Sequence, residues 1–154
     1  MEAGLRLYGA DMDEATTPLE AGLAWTVALH KPRFIGKEAL LKQQEAGVTR
    51  TFAGFELSQG PVPRQGAELL ADAGGGAGLR RVGTVTSGTF SPMLSRPLGM
   101  GYIEPAFAKP GTALTLTVRA QRYAATVVKL PFWKGETGPA ALPSNAASTL
   151  EKLN

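Results

Sequence analysis

The 154-residue sequence contains no cysteine and a single histidine, His30. The first absence excludes disulfides and thiolate metal sites and fits a reducing compartment. The second leaves no material for a histidine-based metal cluster, or for a triad backed by a second essential histidine. No run approaches the roughly 20 apolar residues that span a bilayer, so no membrane span is expected. The N-terminus, MEAGLRLYGA, has no long apolar run behind a basic start and does not read as a secretory signal. Charge is sparse, at 19% of residues, and the net charge of +3 is mild. The basic residues are scattered, with Arg80-Arg81 the only adjacent pair, so nucleic-acid binding gains little support. These absences together predict a cytoplasmic chain with no metal, no membrane and no nucleic acid among its partners.

What is present is a foldable, glycine- and proline-punctuated chain. Apolar residues make up 44%, and the length suffices to bury a core. Thr17, Pro18 and Glu20 form a helix-start signature, in which hydroxyl and carboxylate each satisfy the other residue's backbone N–H. Ala24 to Leu29 (AWTVAL) reads as a short strand with Trp25 in the core, and Lys31 to Gly47 as an amphipathic helix stopped by Gly47. From Thr49 the period changes to two. Thr51–Leu57, Glu68–Ala71, Arg81–Thr86, Leu98–Ile103, Thr112–Arg119 and Tyr123–Leu130 all read as strands separated by glycine-proline turns. Ser87 to Pro97 reads as a long ordered connection, and Asp72 to Gly78 as a flexible hairpin tip. The fold class expected is α+β and mainly β: an antiparallel β-barrel of jelly-roll or Greek-key type behind a partial α/β segment.

The residues alone do not complete a reaction. Gly74 to Gly78 lacks the Lys-Ser/Thr that a phosphate loop needs. Asp11, Asp13 and Glu14 miss calcium-loop spacing and read as a solvated, helix-starting turn. His30 has no carboxylate partner nearby in sequence. Tyr8, Tyr102 and Tyr123 are expected to be part-buried, each hydroxyl with a partner. Trp133, after Pro131 at the end of the last strand, either packs over a barrel end or forms one wall of a ligand site.

Six stretches occur in a telling order: EAGLRLYGADMDEATTPLEAGLAWTV, FIGKEALL, VGTVTSGTFSPML, LGMGYIEP, PGTALTLTVR and KLPFWKG. From about Glu2 to Gly135 the chain resembles the C-terminal half of the glycine cleavage system T-protein, the aminomethyltransferase family. The C-terminal regions of sarcosine and dimethylglycine dehydrogenases share much of this pattern and stand as an alternative, as does a non-enzymatic binding barrel. The resemblance implies transfer of a one-carbon unit from the aminomethyl-lipoyl arm of the H-protein to tetrahydrofolate, with release of ammonia. It also implies that residues 1–47 end a second, α+β domain, that 48–134 form the family's C-terminal barrel, and that 135–154 are a flexible tail. The family's folate-binding arginine and catalytic aspartate lie upstream of the matched part. The expectation is therefore a C-terminal fragment with no catalytic residue of its own, dependent on missing N-terminal domains. Two cofactor-binding residues carry over. Trp133 stands in the family's Pro-Phe-aromatic segment near the folate cavity, and Glu2 belongs to its EAG motif. Ser87, Phe90 and Ser91, in the TSGTFSP signature, are expected to shape the barrel against other domains.

Overall fold

In a computed structural model, which describes residues 1–72, 74 and 78–135, the chain forms one short helix and a closed six-stranded antiparallel barrel. Helix α1 spans Lys37–Ala46, and strands β1 to β6 span Thr51–Leu57, Glu68–Asp72, Leu79–Ser91, Arg96–Ile103, Ala113–Val118 and Gln121–Val128. Around the barrel the order is β1-β4-β3-β2-β5-β6, with β1 closing on β6. β2, β3 and β4 form a meander and β1 lies beside β4, which is a Greek-key arrangement. Closure removes the exposed strand edges that would otherwise template aggregation.

The period-two pattern is what fills the barrel. Ala53, Phe55 and Leu57 of β1 point inward with Leu69, Ala71, Val82, Val85, Ile103, Leu114, Leu116, Ala125 and Val127, forming one core. The opposite face of β1 and β4 builds a second, outer cluster. There Phe52, Met100 and Tyr102 pack under Leu130 and Phe132. Phe52 and Tyr102 meet edge to face at 5.4 Å between centroids. Gly99 makes the inner face possible, because a Cβ there would fall 2.2 Å from Phe55 Cζ.

Several expectations are corrected. Ala24–Thr26 is a single 3-10 turn rather than a strand, and Trp25 is 82% exposed rather than core. Gly22, at φ +66°, precedes it, and none of the barrel strands pairs with this segment. The helix begins at Lys37 instead of Lys31, because Gly36 takes a left-handed conformation (φ +88°) just before it. Ser87 to Pro97 is not a long connection. A bulge between Val85 and Ser87 re-phases β3, which continues pairing to Ser91↔Arg96 and leaves a turn of only Pro92 to Ser95. The acidic turn is not fully solvated, since Asp11 is 2% exposed. The tyrosines split. Tyr102 donates to Asp11 O at 2.9 Å and Tyr123 to Gln121 Oε1 at 2.6 Å, whereas Tyr8 is exposed. The expected tail beyond Gly135 and most of the hairpin tip (73 and 75–77) lie outside the described residues.

Candidate functional site

The site is built where residues 1–23 cross the outer face of β1, β4 and β3. The crossing is anchored first by local structure. The Thr17–Glu20 pair forms the expected reciprocal cap, with Glu20 N–H donating to Thr17 Oγ1 at 3.2 Å and Thr17 N–H to Glu20 Oε2 at 3.0 Å. The turn then closes at once, as Leu23 N–H reaches Pro18 O (2.7 Å) and Gly22 N–H reaches Leu19 O (3.2 Å). This pair of bonds around a left-handed glycine is a Schellman ending. The sequence thus specifies a cap and a stop so close together that only one turn forms. Glu20 O then accepts from Phe52 N–H at 2.8 Å and docks the turn on β1.

Two polar clusters fasten the crossing. In the first, Asp11 Oδ1 accepts from Thr86 Oγ1 and Ser87 Oγ, both at 2.6 Å, and Oδ2 accepts from Leu7 N–H at 2.9 Å. Thr86 is the bulge residue of β3, so the bulge aims two consecutive hydroxyls at one carboxylate. Beside it the Arg50 guanidinium lies 4.7 Å from the Tyr102 ring centroid and bonds Glu20 Oε1 at 3.3 Å. Burial pushes the Tyr102 phenol up, against the opposing pull of Arg50. Arg6 stacks on Phe52 at 4.7 Å while donating to Ala21 O and Gly4 O. Asp11, buried and accepting three bonds, is a fastening group rather than an accessible base.

The second cluster brings both expected ligand residues together. Glu2 Oε1 accepts from Ser91 Oγ, and from Met93 N–H at 3.4 Å, and Ser91 Oγ in turn accepts from Leu94 N–H at 3.0 Å. Glu2 O accepts from Trp133 N–H at 3.2 Å. Leu130, three residues earlier, is clasped between Gly4 and Gly54, where added Cβ atoms would lie 3.1 and 2.5 Å from its side chain. Glu2 and Trp133, 131 positions apart, therefore share one corner. Trp133 is 41% exposed there, and Glu2 Oε2 takes no hydrogen bond from the described residues. The corner thus carries a hydrogen-bond-accepting carboxylate and a partly exposed indole on two segments joined through their backbones, chemistry suited to a flat heterocycle with N–H groups on its edge.

Ser91 is the only one of the three signature residues in the Glu2 corner; Ser87 holds Asp11, and Phe90 is exposed. Sequence reasoning missed the Asp11–Thr86–Ser87 fastening, whose members lie 75 and 76 positions apart. The available signal was the pair of adjacent hydroxyls in a strand that otherwise alternates. Among the described residues no group of three or more His, Asp or Glu is placed to hold a metal.

Residues 50–134 match the family model for the glycine cleavage T-protein C-terminal barrel domain. The chain is 48% identical over 132 residues to an aminomethyltransferase of Halothermothrix orenii, covering 86% of this chain and 35% of that protein. It is 44% identical over 135 residues to an aminomethyltransferase of Desulforamulus reducens, covering 88% and 35%. A solved structure, the glycine cleavage system aminomethyltransferase T from Bartonella henselae, superposes with a TM-score of 0.76 at 36% identity, over 86% of this chain and 36% of that one. The chain thus spans about a third of the length of the relatives it matches.

Proposed function

Since the chain belongs to the family of the glycine cleavage T-protein C-terminal barrel domain, we propose that it is the barrel part of a glycine cleavage aminomethyltransferase. The reaction proposed moves the one-carbon unit from the aminomethyl-lipoyl group of the H-protein to tetrahydrofolate and releases ammonia. The part played here is to wall and orient the folate acceptor, and the acid–base groups come from the two-thirds of the relatives that this chain does not match. Residues 1–47 are the end of the domain that precedes the barrel, and 48–134 are the barrel domain. The setting is cytoplasmic. No helix of the described residues is long and apolar enough to cross a membrane.

The observation that carries this reading is the meeting of Glu2 and Trp133 at one corner. Glu2 Oε2 would accept from the N–H edge of the pterin, and the Trp133 ring would cover its face. An indole has no phenol hydroxyl, so Trp133 contributes contact area and no oxygen-centred hydrogen bond. The curated relatives cited above are named aminomethyltransferases, which favours this reading over a demethylating dehydrogenase.

The test mixes this chain with the unmatched N-terminal two-thirds of the Halothermothrix orenii aminomethyltransferase. Methylene-tetrahydrofolate formation is followed from aminomethylated H-protein. Activity is expected only when both pieces are present, and Trp133→Ala should raise KM for tetrahydrofolate on the order of tenfold, the value of one stacked contact. Full activity of this chain alone, or unchanged KM in Trp133→Ala, overturns the proposal.

A further inference from the structure

A second surface, around the β5–β6 turn, shares no residue with that corner. A cleft of about 340 Å³ opens between the loop leaving β1 and the β5–β6 turn, lined by Pro61, Val62, Arg64, Val118, Arg119 and Tyr123. Its floor is fixed. Tyr123 packs on Gly60, where a Cβ would sit 2.8 Å from the ring, and its hydroxyl is tied to Gln121 Oε1. Its rim holds two arginines that, like Arg122 of β6, make no ion pair with any described residue, whereas Arg80, Arg81 and Arg96 each make one.

The charge along the chain is segregated in the same sense. Residues 1–104 carry ten Lys or Arg and eleven Asp or Glu, whereas 105–135 carry Lys109, Arg119, Arg122, Lys129 and Lys134 with no acidic residue. The cations of β5 and β6 therefore have no carboxylate within their own hairpin. The turn that presents Arg119 is also unusual. Val118 pairs with Gln121 across a two-residue loop, and both Arg119 (φ +48°) and Ala120 (φ +65°) are left-handed. Asn-Gly or Asp-Gly is the ordinary choice in such a turn. An arginine held there against local preference is a reason to look for what it meets.

We propose that this cleft docks a carboxylate-rich segment of a partner protein. Arg64 and Arg119 take its acidic side chains in forked hydrogen bonds, and Pro61, Val62, Val118 and the Tyr123 ring receive an apolar neighbour. A nucleic acid is the poorer fit, because one ring and two rim arginines give neither a run of stacking platforms nor a tract of phosphate contacts.

The probe is a fluorescein-labelled peptide of about ten glutamates interrupted by two leucines, titrated into the whole chain and followed by anisotropy. Arg64→Gln and Arg119→Asn are the test substitutions, asparagine being at ease in a left-handed turn. Each should weaken binding by about fivefold, with additive loss in the pair, as expected for one charge-assisted contact each. Lys37→Gln with Lys42→Gln, on α1, should leave it unchanged. Binding should also be lost when the glutamates of the peptide are replaced by glutamines. Equal losses in the α1 control, indifference to Arg64 and Arg119, or tighter binding of a single-stranded oligothymidine of similar length at the same salt would each overturn the proposal.

Discussion

The barrel and the segment that crosses it are held by different physics. Inside the barrel, side chains from all six strands are buried against one another, so stability comes from apolar area removed from water. The crossing segment buries little of its own apolar surface, and Leu5, Leu7 and Tyr8 remain exposed. It is held by polar fastenings: Asp11 to Thr86 and Ser87, Glu2 to Ser91, and Glu20 to Phe52 N–H. A surface fastened this way and left apolar outside is a surface prepared for another contact. The candidate ligand corner lies on the fastened side, so its geometry depends on contacts weaker and more local than those that keep the barrel closed.

The sharpest way to break this contrast is to strike the core. Phe55 is fully buried, with its ring over Gly99. Phe55→Ala should cost about 3–5 kcal/mol of global stability, the range for deleting a buried phenyl group. Chemical denaturation would read it, and the crossing segment and barrel should be lost together. A cost below about 1 kcal/mol would mean that the barrel relaxes into the void and is less tightly packed than its closed pairing implies.

Asp11→Ala tests the other side. It removes one acceptor from two hydroxyls and one from Leu7 N–H, bonds worth about 1.5–3 kcal/mol each to a charged group. The donors that lose it are only part-buried and regain water, so the net effect should be about 2 kcal/mol, confined to the crossing segment. Hydrogen exchange should speed at Leu7 and Asp11 while the β1 and β4 amides keep their protection. Uniform acceleration across the barrel would show that the two regions unfold as one unit, and the contrast drawn above would fail.

The same division explains what the sequence made legible. The barrel strands announce themselves because a period of two is a property of a few neighbouring residues. The capping signature at Thr17 and Glu20 was readable for the same reason, and its bonds form. What it does not say is how far a helix runs, and Gly22 stops it within a turn. Trp25 misled because a large aromatic in an alternating hexamer mimics a core strand, yet no neighbouring strand exists to pair with it. Ser87 to Pro97 misled because its serines, glycine and prolines are turn residues by composition, whereas a bulge turns the first five of them into strand. Glu2 and Trp133 came from family resemblance, and no local rule joins them. Their shared corner arises only when the first and last described segments are laid side by side.

Acid titration of Glu20 sharpens the comparison with the smallest effect. Its carboxylate sits between the Thr17 N–H, the Thr17 hydroxyl and Arg50. Burial pushes this carboxyl up, but the backbone hydrogen bond and the Arg50 guanidinium outweigh burial and hold it below the ordinary carboxyl value of 4.5. An acid with a depressed folded-state pKa stabilises the fold above its unfolded pKa and loses that contribution as pH falls through the folded one. The loss therefore falls in the acid range beneath 4.5 and not around neutrality. Arg50 is 42% exposed and screened by solvent, so the contribution should stay under about 1 kcal/mol. Glu20→Gln is the matched control, since glutamine can still complete the cap but cannot ionise. Exchange protection at Phe52 N–H, which docks the turn on β1, should be higher in the parent at pH 6, and the gap should close as pH falls below the ordinary carboxyl range. A gap constant with pH would assign the difference to the shape of the glutamine and not to charge. The segment would then be fastened by neutral hydrogen bonds alone.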